Sequence, residues 1–378
     1  MAQEQLQRVL NDPRVSSVVV DREVAAYPKG GNGGGKPDNG GGDDETPTPR
    51  EPQVVPSGVS RIGADQSIFT GAGIGVAVVD TGIDFDHPDL TPNLNPFSFK
   101  AVPKGRRIEI RSGNYVGQDD EGHGTHVAGT VAAANDGGDV VGVAPRAELF
   151  AVKVLNSRGR GYDSTVIAGL DWIAQNAASL GIAVVNMSLG REGSLDDNPT
   201  YRAAIQTLHA LGISVVVAAG NDASLEVTQQ VPAGYPEVIA VASSTAVAGQ
   251  SDIALSVPAD SASFFSTDGA WDPSTGIGVT VSAPGAMRED ISGGYLNSIG
   301  ILSTALGGGT VRLSGTSMAS PHVAGVVALL LESGAVTGPE SARGWIRSNA
   351  QGIGALPLDS LSTSYSFDGE YEGVVSAP

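Results

Sequence analysis

From about residue 53 onward, short runs of Val, Ile and Ala recur along the chain. They fall at 74–79, 149–155, 182–187, 213–219, 238–242 and 279–283. Each is nearly continuous in apolar residues, the pattern of a strand buried on both faces. Longer helical stretches lie between them, at about 124–134, 163–180, 199–211, 317–332 and 339–348. Strands that alternate with helices predict an α/β fold of three layers, a mostly parallel central sheet flanked by helices. In such sheets reactive groups gather at the carboxyl ends of the strands. No internal repeat interrupts the pattern.

The N-terminal part reads differently. Residues 2–11 predict a short amphipathic helix with Leu6, Val9 and Leu10 on one side, stopped by Asn11-Asp12-Pro13. A β-rich run follows at 15–20. Residues 28–52 are almost all Gly, Pro, Asp and Asn, with the composition of a flexible linker. The expected organisation is an N-terminal piece at 1–27, a linker at 28–52 and a main domain at 53–378. Within that domain, 95–117 looks expanded, and 245–264 and 286–299 look inserted. Loops of this kind are expected to be variable surface rather than parts of a cleft.

Composition narrows the chemistry. The 378 residues include no cysteine, which excludes disulfides, thiolate metal sites and a cysteine nucleophile. The formal charge of −19 sets the surface against nucleic acid and anionic lipid, and favours hard cations in oxygen-rich loops. No apolar run is long enough to span a membrane, so neither a nucleic-acid nor a membrane partner is expected. The start, MAQEQLQRVL, has no hydrophobic signal region. An extracellular protein whose signal has been removed is the expectation, working as a monomer.

Four segments carry reactive residue types. The run 74–79 leads directly into Asp80-Thr81-Gly82, a carboxylate at the end of a buried strand, where it needs a hydrogen-bonded partner. The second is Gly122-His123-Gly124-Thr125-His126-Val127-Ala128-Gly129. Its histidines are three apart with no Glu between, so it lacks the zinc-protease pattern, and His126 reads as a packed structural residue. The third is Ala218-Ala219-Gly220-Asn221, which offers a side-chain amide at a strand end. The fourth runs Ser314-Gly315-Thr316-Ser317-Met318-Ala319-Ser320-Pro321-His322-Val323-Ala324-Gly325 and places Ser317 where an apolar helix opens, near the positive end of its dipole. Each alone has a plain structural explanation; a serine at a helix start is usually only a cap.

Together, in this order, the four segments resemble the signature blocks of the subtilisin (subtilase) family, and the resemblance covers roughly 53–350. It implies a subtilisin-like fold and a serine endopeptidase with a triad in the order Asp80, His123, Ser317. Ser317 would attack the scissile carbonyl, His123 would act as general base and then acid, and Asp80 would orient the imidazole. Asn221 and the Ser317 amide would hold the oxyanion. A non-catalytic relative is disfavoured because all four residues are present.

The same resemblance implies further sites. Ser188, Leu189 and Gly190 match the family's substrate strand, and Ala218, Ala219 and Gly220 its opposite pocket wall. Both walls are small and apolar, which suggests large apolar or aromatic residues before the cleaved bond of protein and peptide substrates. Calcium would be the cofactor, bound by Gln53, Asp89 and Asp136 with the carbonyls of Ala134, Gly138 and Val140. Residues 2–27 resemble the end of the family's inhibitory prosegment, an intramolecular inhibitor whose tail would finish at Tyr27. Pro28 follows it, a poor residue after a bond to be cut. If the triad is right, Ser317→Ala abolishes peptide hydrolysis and leaves the circular dichroism spectrum unchanged. Normal turnover by that variant would end the assignment.

Overall fold

In a computed structural model, the described residues are 3–15, 18–27, 50–105, 107–352 and 369–378. Most of the expected 28–52 linker therefore lies outside the described residues, as do 1–2 and 16–17 of the N-terminal piece.

The helices are α1 Gln3–Leu10, α2 Ser57–Arg61, α3 His123–Ala132, α4 Asp163–Leu180, α5 Pro199–Ala210, α6 Thr316–Ser333 and α7 Pro339–Asn349. The strands begin with β1 Glu23–Ala26, β2 Gly75–Asp80, β3 Phe97–Lys104, β4 Arg107–Asn114 and β5 Glu148–Lys153. They continue with β6 Arg160–Tyr162, β7 Ile182–Met187, β8 Leu189–Glu192, β9 Ser214–Ala218 and β10 Gln230–Val231. The last are β11 Ile239–Thr245, β12 Val281–Ala286, β13 Arg288–Ser292, β14 Tyr295–Ile299, β15 Ile301–Thr304 and β16 Thr310–Leu313.

An eight-stranded sheet in the order β12-β11-β9-β7-β2-β5-β3-β4 forms the middle layer. Its pairings are parallel except β3 with β4 at one edge. The six apolar runs are its six consecutive parallel strands from β12 to β5, and the five predicted long helices are α3 to α7, as the three-layer reading requires. The two-residue period of a strand explains why the runs are continuous. In β2, Val76 and Val78 join the core under α3 and α6, while Ala77 and Val79 join the core under α4 and α5.

Two regions differ from the sequence reading. The stretch 95–117 is not a surface loop; most of it is the β3–β4 ribbon. Phe97 and Phe99 place their rings 5.7 Å from Trp172 of α4, and Trp172 Nε1 donates to Ser112 Oγ at 2.9 Å. Charged residues at Arg107, Glu109 and Arg111 line β4, the usual protection of a sheet edge. The region 286–299 is also ordered, as the β13–β14 hairpin, and Asp252 of the other inserted region donates its amide to Ile291 O at 3.2 Å. The β-rich run at 15–20 forms no strand among its described residues; the strand is β1, a few residues later.

α6 runs through the body with its residues from Thr316 to Leu330 all buried. Pro321 within it has no N–H to give to the carbonyl of Ser317, four residues earlier. That carbonyl instead accepts the hydroxyl of Ser188 at 2.8 Å. The proline thus ties the start of α6 to the junction of β7 and β8.

Candidate active site

β2 ends at Asp80, and the carboxylate there is 0% exposed. A buried charge of this kind is tolerable only with partners. Its Oδ1 accepts the Thr81 amide at 2.7 Å and lies 2.8 Å from His123 Nδ1. His123 is the first residue of α3, and it reaches Asp80 because small residues let the elements meet. A Cβ on Gly124 would fall 2.1 Å from Gly82 O and 3.1 Å from Asp80 Cβ. Thr81 Oγ1 closes the contact by accepting the Gly124 amide at 2.9 Å.

Burial alone would lower the His123 pKa, but the charge and hydrogen bond of Asp80, helped by Glu121 and Asp119, outweigh it. The imidazole is therefore held above its ordinary value. Glu121 accepts the His123 amide at 2.8 Å, and burial raises its own carboxyl. His126 is different: burial pushes it down to about 3, and its Nε2 meets Ile301 O at 3.0 Å. It stays neutral and packed.

Ser317 is the second residue of α6, a position whose amide has no acceptor inside the helix. Its hydroxyl donates to Ser188 O at 3.1 Å. The buried Nε2 of His123 has no hydrogen-bond partner among the described residues. The structure thus joins Asp80 to His123, while Ser317 Oγ rests on the β7–β8 junction. Catalytic contacts often close only when a reacting substrate is present.

Asn221 follows β9. Its Oδ1 accepts the amide and the hydroxyl of Thr316, both at 2.9 Å. Two donors on the oxygen fix which way the amide faces, so Nδ2 is aimed outward, and it donates to the carbonyl oxygen of Tyr27.

Tyr27 arrives there on β1, which lies antiparallel between β6 and β8. Val24 pairs with Gly161, Ala25 with Arg160 and Gly190, and Ala26 with Leu189. The ring of Tyr27 occupies the space that a side chain on residue 190 would take. Its hydroxyl donates to Gln230 Oε1 at 2.8 Å.

Of the expected substrate residues, Leu189 and Gly190 carry the tail, and Gly220 backs the pocket against the side chain of Gln230. Ser188 turns toward α6, and Ala218 and Ala219 are buried behind the surface. Sequence reasoning missed β6, Gln230 and Lys153. Lys153 is buried, donates to Thr81 O and pairs with Asp120 at 2.5 Å, bracing the turn after Asp80. A lone charge within the apolar run 149–155 was its available signal.

The residues expected to hold calcium also come together in part. Gln53 Nε2 reaches Ala134 O at 2.9 Å and Val140 O at 3.3 Å. Asp89 is fully buried and accepts the Val140 amide at 3.0 Å. Gly138 and Asp136 lie beside them, around a residue not foreseen, Arg50. Its guanidinium pairs with Asp89, with Asp136 at 2.9 Å and with Asp139 at 3.3 Å. No group of three or more His, Asp or Glu side chains is arranged to hold a metal among the described residues. The donors are instead one buried carboxylate, one amide and main-chain carbonyls, a mixture that suits calcium.

Comparison with known proteins gives a consistent result. The subtilase family model matches residues 71–369. Subtilisin DY of Bacillus licheniformis is 36% identical over 307 residues, covering 80% of this chain and 93% of that protein. Subtilisin BL of Lederbergia lenta is 35% identical over 309 residues, covering 81% of this chain and 95% of that one. The solved structure of a psychrophilic protease aligns with a TM-score of 0.66 at 28% identity, over 87% of this chain and all of the other.

A base must be neutral to accept a proton, so if His123 is the base, activity should rise with pH through its pKa. Because that pKa is raised, the acid limb of kcat/KM is expected above the ordinary histidine value of about 6.5. Asp80→Asn removes the group that raises it; the limb should move to lower pH and turnover fall about 10⁴-fold. An acid limb unmoved in that variant would separate Asp80 from the base.

Proposed function

We propose, from the premise that this chain belongs to the subtilase family and is a serine endopeptidase, that Ser317, His123, Asp80 and Asn221 carry its reaction. Ser317 Oγ bonds to the scissile carbonyl carbon while His123 Nε2 takes its proton. The carbonyl oxygen becomes an oxyanion, held by Asn221 Nδ2 and by the free amide at Ser317. The carbon–nitrogen bond then breaks, and His123 returns the proton to the leaving amine. Water repeats the sequence on the acyl-enzyme. Asp80 keeps Nδ1 protonated and steadies the imidazolium.

The observation that carries this reading is the bond from Asn221 Nδ2 to a carbonyl oxygen of a chain lying in the cleft. Tyr27 supplies that carbonyl, so the N-terminal piece sits as a substrate would, with its main chain paired on both sides. We read residues 1–27 accordingly as an inhibitory prosegment, and large apolar or aromatic residues as preferred before the cleaved bond. The small residues at Gly190 and Gly220 support that preference.

Calcium belongs to the proposal through Gln53, Asp89 and the carbonyls of Ala134 and Val140. Bound there, it would supply stability rather than chemistry, by tying the chain at 53 to the loop after α3. Arg50 reaches the same carboxylates, so the ion and the guanidinium compete for Asp89.

Asn221→Ala should lower turnover by about 10²–10³ with little change in KM, the range known for this asparagine in subtilisin. An equal rise in KM would instead place Asn221 in ground-state binding. Chelation should lower the melting temperature by about 5 °C, as expected for an ion present at about a hundred times its dissociation constant. A melting temperature indifferent to chelator and to added calcium would remove the ion from this account.

A further inference from the structure

We infer that Gln230 makes this enzyme select tyrosine over phenylalanine as the residue before the cleaved bond. The inference rests on the endopeptidase reading and narrows its substrate class from aromatic residues to a phenol.

The pocket is defined by the residue already seated in it. Tyr27 has its carbonyl oxygen on Asn221, so its side chain enters the space that the residue before the cleaved bond must use. A Cβ on residue 190 would stand 2.2 Å from Tyr27 Oη and 2.8 Å from its Cζ, so glycine there is what admits the ring. Beyond the ring the pocket does not end in hydrocarbon. It ends in the amide of Gln230, whose Oε1 accepts the phenol hydrogen at 2.8 Å.

Gln230 is not a loose surface side chain that happens to reach Tyr27. It is 4% exposed, and its backbone is paired to Glu192 of β8, the strand that carries the substrate. Its Cγ and Cδ lie 3.3 and 3.2 Å from where a Cβ on Gly220 would be, so the stem is wedged against the opposite wall. The amide is therefore presented by both walls of the pocket. A phenylalanine fits the same space but leaves that oxygen facing a ring edge. Sites that hydrogen-bond a substrate hydroxyl discriminate against the analogue without it, because the buried partner is left unsatisfied. A smaller aliphatic residue leaves it unsatisfied as well, and leaves the ring's space unfilled.

The test compares Val-Ala-Ala-Tyr and Val-Ala-Ala-Phe p-nitroanilides, which copy the chain's own tail and differ by one hydroxyl. Active sites are first counted with a serine-directed phosphonate on enzyme freed of its N-terminal tail. The wild-type enzyme should favour tyrosine in kcat/KM by about 10- to 100-fold, the ratio that one unsatisfied buried acceptor costs. Gln230→Met keeps the length and removes the acceptor; the ratio should fall to about one or below, with phenylalanine cleavage retained. Gln230→Glu keeps an acceptor and should keep the preference for tyrosine. A wild-type ratio near one overturns the inference, and so does a ratio unchanged in Gln230→Met. If Gln230→Met does not fold, the wild-type ratio and Gln230→Glu still decide. Absence of phosphonate labelling in wild-type enzyme freed of its N-terminal tail would overturn the endopeptidase reading, a failure distinct from labelled enzyme that ignores the hydroxyl.

Discussion

A charged carboxylate at the end of a strand with no exposed face has few ways to be satisfied, and Asp80 uses the turn that follows it and the helix above it. Its oxygen takes the Thr81 amide and the His123 ring. Much of the local sequence serves that arrangement. Gly124 is small because the helix start must touch the turn at Gly82, and Gly82 because the segment 117–119 crosses it closely. Lys153, on the neighbouring strand, holds the turn from beneath through Thr81 O. Burial and charge act in opposite senses on the imidazole, and charge prevails, so His123 is poised by its partner rather than by exposure. The two effects are separable only because the pair is dry.

Ser317 depends on a second constraint, the position of α6. A helix apolar all round packs by volume and carries little information about its rotation or its height. Polar contacts at its first turn provide that information. Pro321 withholds an amide from Ser317 O, the Ser188 hydroxyl takes the free acceptor, and Ser317 Oγ returns a bond to Ser188 O. Thr316 at the same turn fixes the Asn221 side chain. The elements that carry Ser317 and Asn221, the proposed nucleophile and oxyanion donor, are thus locked to each other. This is preorganisation in the sense that matters for a developing charge.

The sheet and the long helices were legible because two-sided burial writes itself as continuous apolar runs, and the proposed triad because its residues sit in local strings at strand ends and helix starts. What escaped was less local. The alternation of Phe97, Phe99 and Ala101 is a strand pattern, yet it lies at an edge among charges, where it reads as loop. β1 is four residues long, and its strand character comes from the two neighbours it lies between. Gln230 gains its meaning only when Gly190 and Gly220 close around it. Arg50 fell in a stretch of linker composition, and its role depends on three aspartates brought together from two loops.

The N-terminal piece shows which of its contacts hold it. Arg22 pairs with Asp197 at 2.7 Å and Glu23 with Arg160 at 2.8 Å, while Asp21 accepts the Ser164 amide at the first turn of α4. Exposed pairs like these are worth about 0–1 kcal/mol each and fade with salt. Val24, fully buried beneath the cleft, is worth about 1.5–3 kcal/mol by burial alone. The ladder to β6 and β8 satisfies main-chain groups that every peptide possesses. Recognition therefore rests on backbone pairing, one buried aliphatic residue and the Tyr27 anchor, with charge at the margin. A tail held in that way is held by the terms that bind a substrate. On the proposed prosegment reading, the enzyme cannot loosen its grip on the one without loosening its grip on the other, so relief of inhibition has to come from removing the tail rather than from weakening the cleft.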